Sequence, residues 1–424
     1  MDRAHNPKAE GANASLPSDE GDLSRNQPQP PLSQRKPWYR RAWPVAPLLV
    51  LAGAWTVITF LGTDSPDDLV PVHRTWTLMG TILEATVYRP ASATALAHAD
   101  LEAVHHAVFE IDQLMSLYRP DSELVALNNQ AGMGRIEVSA PTFQVLQASQ
   151  HYTRLSGGAL DVTVQPLVEL WGFYTMERTS IPPLAAIQTV LQQVGADRLD
   201  LDAAAGTAAL APGTRLDLGS IAKGYAIDRA VAALDARGVP AALIDLGGTI
   251  GVLDQPPDGR PWTVGIQNPR GNNLIGLLQF RGGAIATSGD YDRYFEVEGR
   301  RFSHLLDPRT GWPAEDLYAV TVVAPNATAA DALSTAAFVL GPEDGMALLS
   351  DCQGVEGVLI RWLGGKGEDE QDSARLAVST TTESTQDGAV SFIFESGTAA
   401  TLRSVKKRAE SSALPDCVLP IAPE

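Results

Sequence analysis

Cysteine is almost missing from this chain: 424 residues carry only Cys352 and Cys417. With no Cys-x-x-Cys pair and no His-rich cluster, nothing suggests a structural zinc site. Two lone cysteines are expected to stay unpaired, with a bond between them the alternative in an oxidising compartment. Positive charge is also scarce. Lys and Arg number 32 against 50 Asp and Glu, a formal net charge of −18, which argues against nucleic acid as a partner. Neither G-x-G-x-x-G nor G-x-x-x-x-G-K-[ST] occurs, so a Rossmann or P-loop nucleotide site is unsupported. No internal repeat is present.

What the chain does have is apolar material: 44% hydrophobic residues, enough for a sizeable core in one large domain or two ordinary ones. Residues 1–41 are polar and rich in Pro, Asn, Gln and Ser, and read as a disordered cytoplasmic segment. Arg35, Lys36, Arg40 and Arg41 precede an uncharged apolar run, 42–62, and Asp64, Asp67 and Asp68 follow it. The run is about long enough to span a bilayer, and the charge asymmetry directs the bulk of the chain outward. We read it as an uncleaved transmembrane anchor. Ala52-Gly53-Ala54 leaves a cleaved signal peptide as the alternative, and the lack of a nearby cysteine speaks against a lipoprotein anchor.

The globular domain is expected over 70–362. A hairpin is predicted around Met79-Gly80-Thr81, then helices over 91–117, 141–155, 162–173 and 184–194. A strand end at Leu216–Leu218 leads into a helix capped by Ser220 and running to Arg237. Strands dominate 241–323, helices return at 327–340 and 343–349, and a strand follows at 355–362. Residues 363–389 read as a low-complexity insert and 390–424 as a last strand and tail. Runs of helices, then strands, then helices predict an α+β fold.

Several segments place acids, hydroxyls and small residues at element ends. LDLGSIAKGYAID (216–228) sets Asp217, Ser220 and Lys223 around a helix start, where free N–H groups suit phosphate. A carboxylate there would repel an anion, so Asp217 calls for a cation, a sugar or a base edge as well. MSLYRPDSELVALN puts Tyr118 at a helix end, where its ring either caps a flat ligand or joins the core. In GGALDVTVQPLVELWGF, Asp161 is a candidate N-cap. In ATSGDYDRYFEVEGRRFSHLLDPRTG, His304 stands near Asp307 and Arg309. In NATAADALSTAAFVL, Asp331, Ser334 and Thr335 share one helix face at i, i+3 and i+4. Oxygen donors on a small-residue face suit a hard cation, and hydroxyls bonding the previous turn are the plainer alternative.

Taken in order, these segments, with MGT at Met79 and ALIDLGGTI, resemble the FAD:protein FMN transferases, the ApbE-like family, over roughly 72–360. The resemblance implies a mixed α+β fold with antiparallel-rich sheets and packed helices, preceded here by one transmembrane helix. It implies an enzyme that moves FMN from FAD to a Ser or Thr hydroxyl of an acceptor protein, releasing AMP with the help of Mg²⁺. By similarity Met79, Tyr118, Ala159, Leu160, Asp161, Asp217, Lys223 and the backbone near Leu305 line the FAD site. Ser220, Asp331, Ser334 and Thr335 fall at magnesium positions, partly through backbone carbonyls. His304 and Asp331 are the expected catalytic residues, with His304 assisting the attacking hydroxyl. The chain departs from the family pattern at Leu160 (usually Phe), at Val162 (usually Pro) and in the insert after Gly364. Location and family together suggest a single-pass protein of the bacterial inner membrane, its domain on the periplasmic side, serving a membrane or exported redox protein. An FAD pyrophosphatase using water, or an FAD-binding protein without catalysis, are the alternatives.

Overall fold

The first hairpin forms where its turn residues demand it. β1 (Leu69–Leu78) and β2 (Thr81–Pro90) pair antiparallel, Leu78 opposite Thr81. The two connecting residues, Met79 and Gly80, have φ of 49° and 73°, the left-handed pair of a turn whose twist matches its strands. The computed structural model describes residues 67–175, 180–362, 376–381, 390–394, 401–404 and 417–419. The expected 1–41 segment and 42–62 anchor lie outside them. Among the described residues no helix is long and apolar enough to cross a membrane.

α1 (Thr94–Met115) buries Leu101, Val104, Val108 and Ile111, spaced by three and four residues. α2 (Glu123–Asn129) is capped by Ser122, whose hydroxyl accepts the Val125 N–H. β3 (Ile136–Glu137), α3 (Ala140–Leu155), α4 (Gln165–Leu170), α5 (Leu184–Leu191), β4 (Leu199–Asp202), β5 (Thr207–Leu210) and α6 (Ala222–Ala236) follow. The strand-rich stretch comprises β6 (Ala241–Leu246), β7 (Thr249–Leu253), β8 (Trp262–Gln267), β9 (Leu274–Phe280), β10 (Gly283–Gly289), β11 (Tyr294–Val297), β12 (Arg300–Ser303) and β13 (Ala319–Ala324). α7 (Ala327–Asp351), β14 (Glu356–Trp362), β15 (Leu376–Thr380), β16 (Val390–Phe394) and β17 (Thr401–Ser404) complete it.

The main sheet runs β1-β2-β6-β7-β10-β13-β14-β15-β17, antiparallel except for the last pair. Smaller sheets are β16-β9-β8, β3-β5-β4 and the hairpin β11-β12. Alternation along the strands sorts side chains into two cores. Ala284, Ala286, Val320 and Val322 join α1, α6 and α7 in the larger one. Ile285, Ala319 and Val323 face the other way and pack with Trp262, Leu278 and Phe280 of the β8-β9 sheet. The main sheet is therefore covered on both faces, and β13 is buried at every position. A third cluster packs Trp171 and Phe173 against Phe295, Phe302 and Leu306, fixing the β11-β12 hairpin to α4 and α5. The α+β expectation holds.

Several local expectations need correction. Ser220 is not the N-cap of α6: the helix starts at Ala222 behind Ile221, and no side chain caps it. Asp161 caps no helix either. Its Oδ1 accepts the Thr163 N–H and hydroxyl, and α4 begins only at Gln165. Leu216–Leu218 belongs to no strand; the Asn128 amide bonds both backbone groups of Leu216, at 2.7 and 3.0 Å. The expected helices at 327–340 and 343–349 are both present within α7, separated where Gly341 leaves the helical region with φ 82° and Pro342 follows. β15 lies inside the presumed insert and adds to β14, with Val378 buried. Cys352 and Cys417 form a disulfide.

Candidate active site

Two helices approach each other closely enough to share a carboxylate. Gly224 on α6 has no side chain, and a Cβ there would stand 2.2 Å from the Ala327 carbonyl oxygen on α7. The close approach lets the Gly224 N–H donate to Asp331 Oδ2 at 3.0 Å. Lys223 Nζ stands 3.2 Å from Asp331 Oδ1 and donates to the Gly219 carbonyl at 3.2 Å. Asp331 is buried, so its charge needs this compensation. One helical turn further along α6, Asp228 accepts the N–H groups of Ala327 and Thr328 at 2.7 and 2.8 Å. It thereby caps the helix that carries Asp331. Burial pushes the Asp228 carboxyl up to about 6 against these hydrogen bonds.

On the far side of Asp331 lies a group of hydroxyls. Ser334 Oγ donates to the Asp331 carbonyl at 3.0 Å. Ser288, from β10, meets Ser334 at 2.9 Å and Thr335 at 3.1 Å. The carboxylate and hydroxyls of α7 thus sit against the sheet, as their i, i+3, i+4 spacing allows. Ser220 stands at the turn beside Gly219.

Asp217 begins the other flank. Its Oδ1 accepts the Gly219 N–H at 2.8 Å and its Oδ2 the Tyr174 hydroxyl at 2.5 Å. The Tyr174 ring meets Tyr118 edge-on, centroids 6.5 Å apart. Tyr118 itself is 43% exposed, so its ring is not a core ring. The Asp217 N–H donates to the Val162 carbonyl at 2.8 Å, which brings the buried Ala159, Leu160 and Asp161 alongside. Burial raises the Asp161 carboxyl. The Met79 N–H bonds the Asp112 carboxylate, which pairs with Arg119 next to Tyr118. A cavity of 530 Å³ opens between Gly158, Asp161, Leu191, Pro308 and Arg309. Of the expected site residues, only Asp161 lines it.

His304 leaves β12 half-buried. Its backbone N–H donates to the Arg293 carbonyl at 3.0 Å, and Nδ1 lies 3.2 Å from the same oxygen. A carbonyl only accepts, so Nδ1 carries the proton and Nε2 the lone pair. Burial, then the positive charges of Arg293 and Lys223, pull the imidazole down to about 4. The sequence suggests Asp307 and Arg309 as its partners. They bond each other instead, at 2.8 and 2.9 Å. Leu305 is buried, and its carbonyl accepts the Ala314 N–H at 2.8 Å.

The ApbE family profile matches residues 79–359, about two thirds of the chain, and takes in all of these residues. The chain belongs to the ApbE family. Among its relatives, the FAD:protein FMN transferase of Treponema pallidum (strain Nichols) is 36% identical over 302 residues, covering 67% of this chain and 82% of that protein. The enzyme of the same name from Klebsiella pneumoniae (strain 342) is 35% identical over 269 residues, covering 61% of this chain and 82% of that protein. The crystal structure of the ApbE protein from Thermotoga maritima superposes with a TM-score of 0.63 at 32% identity, covering 68% of this chain and 94% of that one. The flavin transferase ApbE from Vibrio cholerae also gives 0.63, at 30% identity, covering 69% and 94%.

In this ApbE chain Asp217, Lys223, Asp331, Ser334 and Thr335 form one connected line from the Tyr118 ring to the sheet. Lys223 Nζ and the Gly224 N–H contact the Asp331 carboxylate, and Ser288, Ser334 and Thr335 add oxygen donors beside it, the donor type a hard divalent cation such as Mg²⁺ takes. Sequence reasoning missed three participants. Ser288 comes from a strand 46 residues before Ser334. Tyr174 lies one residue beyond the quoted motif. Arg270 forks onto Asp290, with 2.7 Å to Oδ1, and stacks 3.6 Å above the Tyr318 ring. It thereby holds the loop that leads to Arg293 and His304. An excess of turn residues around Asn268–Asn273 is the only sequence signal near it.

Proposed function

We propose that this chain is an FAD:protein FMN transferase. An acceptor Ser or Thr hydroxyl attacks the FMN-side phosphorus of FAD. The phosphorus–oxygen bond to AMP breaks, FMN stays on the acceptor as a phosphoester, and AMP leaves. The observation that carries this reading is the unbroken line of contacts from Tyr118 through Tyr174, Asp217, Gly219 and Lys223 to Asp331. It places an exposed aromatic ring, a donor-reading carboxylate, a cation and an oxygen cluster side by side, as a flavin, a nucleoside edge and a pyrophosphate require. Relatives named for this reaction add support.

His304 Nε2 takes the proton of the attacking hydroxyl. Lys223, the α6 N-terminus and Asp217 orient FAD, with Met79, Tyr118, Leu305 and the Ala159–Asp161 segment around it. Asp331, Thr335, Ser334 and the turn at Ser220 would hold Mg²⁺. When bound, the ion neutralises charge on the pyrophosphate oxygens. The basic and acidic flanks of 42–62, together with the Cys352–Cys417 bond, support a membrane-anchored domain in an oxidising compartment outside the cytoplasm. An exported or membrane redox protein would then be the acceptor.

Mass spectrometry of a candidate acceptor after incubation with FAD and Mg²⁺ tests the reading. A mass gain of one FMN ester, with AMP released, is expected. AMP and free FMN without a modified acceptor would make the chain a hydrolase, and retained FAD without AMP would make it a binding protein. Asp331→Ala should abolish Mg²⁺-dependent transfer. Transfer by that variant at the wild-type rate would remove the metal assignment.

A further inference from the structure

We infer that Tyr174 is a positioning residue that fixes Asp217 and Tyr118 for FAD binding. The inference rests on the transferase reading above and adds a residue to it.

The backbone of Tyr174 is held from below. Trp171 is fully buried, its indole N–H donates to the Gly311 carbonyl at 2.8 Å, and Phe173 packs on Phe295. The chain turns at Gly172, with φ 74°, and delivers Tyr174 to the edge of that cluster. Its ring then stands edge-on to Tyr118, and its hydroxyl reaches Asp217 Oδ2 at 2.5 Å. Burial, then the charge of Asp217, push the phenol well above its ordinary range, so it stays a donor at every physiological pH.

The two carboxylate oxygens of Asp217 are pinned from opposite sides, one by the Gly219 N–H and one by Tyr174. Each oxygen keeps a lone pair. The carboxylate can therefore accept from a ligand N–H or O–H without having to reorient. Without the phenol, Asp217 would be held by its own turn alone and would swing. Tyr118 would lose the edge that limits its ring. Both losses weaken the hold on the ground-state ligand and leave the reacting phosphorus, His304 and Asp331 untouched.

Tyr174→Phe keeps the ring and deletes the hydroxyl. It should raise KM and the fluorescence-measured Kd for FAD about tenfold, the weight of one charge-assisted hydrogen bond. The transfer kcat should stay within about twofold, and the melting temperature should fall by no more than the loss of one hydrogen bond accounts for. Tyr174→Phe in an Asp217→Asn background should add little, because the two act as a unit. Unchanged FAD affinity, or additive effects with Asp217→Asn, would overturn the inference. So would a fall in melting temperature with KM and kcat changing alike, which marks a merely structural residue. The binding arm reads Tyr174 even if the wild type transfers nothing, so a failure of the transferase reading shows up separately. A wild type that binds no FAD removes both.

Discussion

Under the proposed mechanism, the surroundings of His304 set the pH dependence of transfer. With its imidazole pulled down to about 4, the basic form is already complete by neutral pH. Transfer should therefore rise with pH through about 4 and be level from about 6 upward, without the acid limb near 6.5 that an ordinary histidine gives. His304→Ala should lower the level part of that profile and leave FAD affinity nearly unchanged. The same shift acts on stability. An imidazole depressed in the folded state contributes fully above its unfolded value near 6.5, and the contribution is lost as pH falls toward 4. Chemical denaturation at pH 7 and pH 4.5 should show a smaller loss for His304→Ala than for the wild type. Much of this was readable at the level of residue type: a rare histidine beside Ser303 and ahead of a turn. Its partners were not. Asp307 stood close in sequence but binds Arg309, and the contact that orients the ring comes from Arg293, eleven residues away.

Between elements, the α6–α7 approach governs the site. Gly224→Ala would force a methyl to within 2.2 Å of the Ala327 carbonyl oxygen, a backbone atom that no side-chain motion can move aside. We expect a stability loss of about 1–3 kcal/mol, as for other overpacked contacts. Under the proposed metal assignment, Mg²⁺ affinity measured by calorimetry should fall too, because the same shift moves Asp331 off the Gly224 N–H. Asp228→Ala attacks the junction from the other end, leaving the Ala327 and Thr328 N–H groups without their carboxylate. It should cost about 1–3 kcal/mol in denaturant melts. Asp228 titrates near 6 in the fold, above its unfolded value near 4. Its contribution is therefore complete below about pH 4 and declines as pH rises through about 6, so the difference from wild type should be larger at pH 4 than at pH 7. The helices and hairpins themselves were legible, since periodicity and turn residues are local. The i, i+3, i+4 face of Asp331 was legible for the same reason. The meeting of Asn128 with Leu216, 88 positions apart, and of Ser288 with Ser334 was not, because no local pattern encodes which distant segments fold together.

Over the whole molecule, the C-terminal segment is fastened beside the α7 helix at both ends. Cys417 bonds Cys352 at its close, while Asn326, which caps its start, donates to the Leu419 carbonyl at 2.9 Å. The Tyr152 hydroxyl donates to the Cys417 carbonyl at 3.2 Å. Replacing both cysteines by serine, or adding reductant, should lower stability by up to about 4 kcal/mol on loop-closure grounds for a separation of 65 residues. Thermal melts with and without reductant measure it. The bond also makes a covalent ring of residues 352–417, and β14, β15, β16 and β17 all lie within it. A protease that cuts anywhere in that ring divides the chain without separating the pieces. The nicked protein should migrate as one species until its thiols are reduced, and only then fall into two fragments.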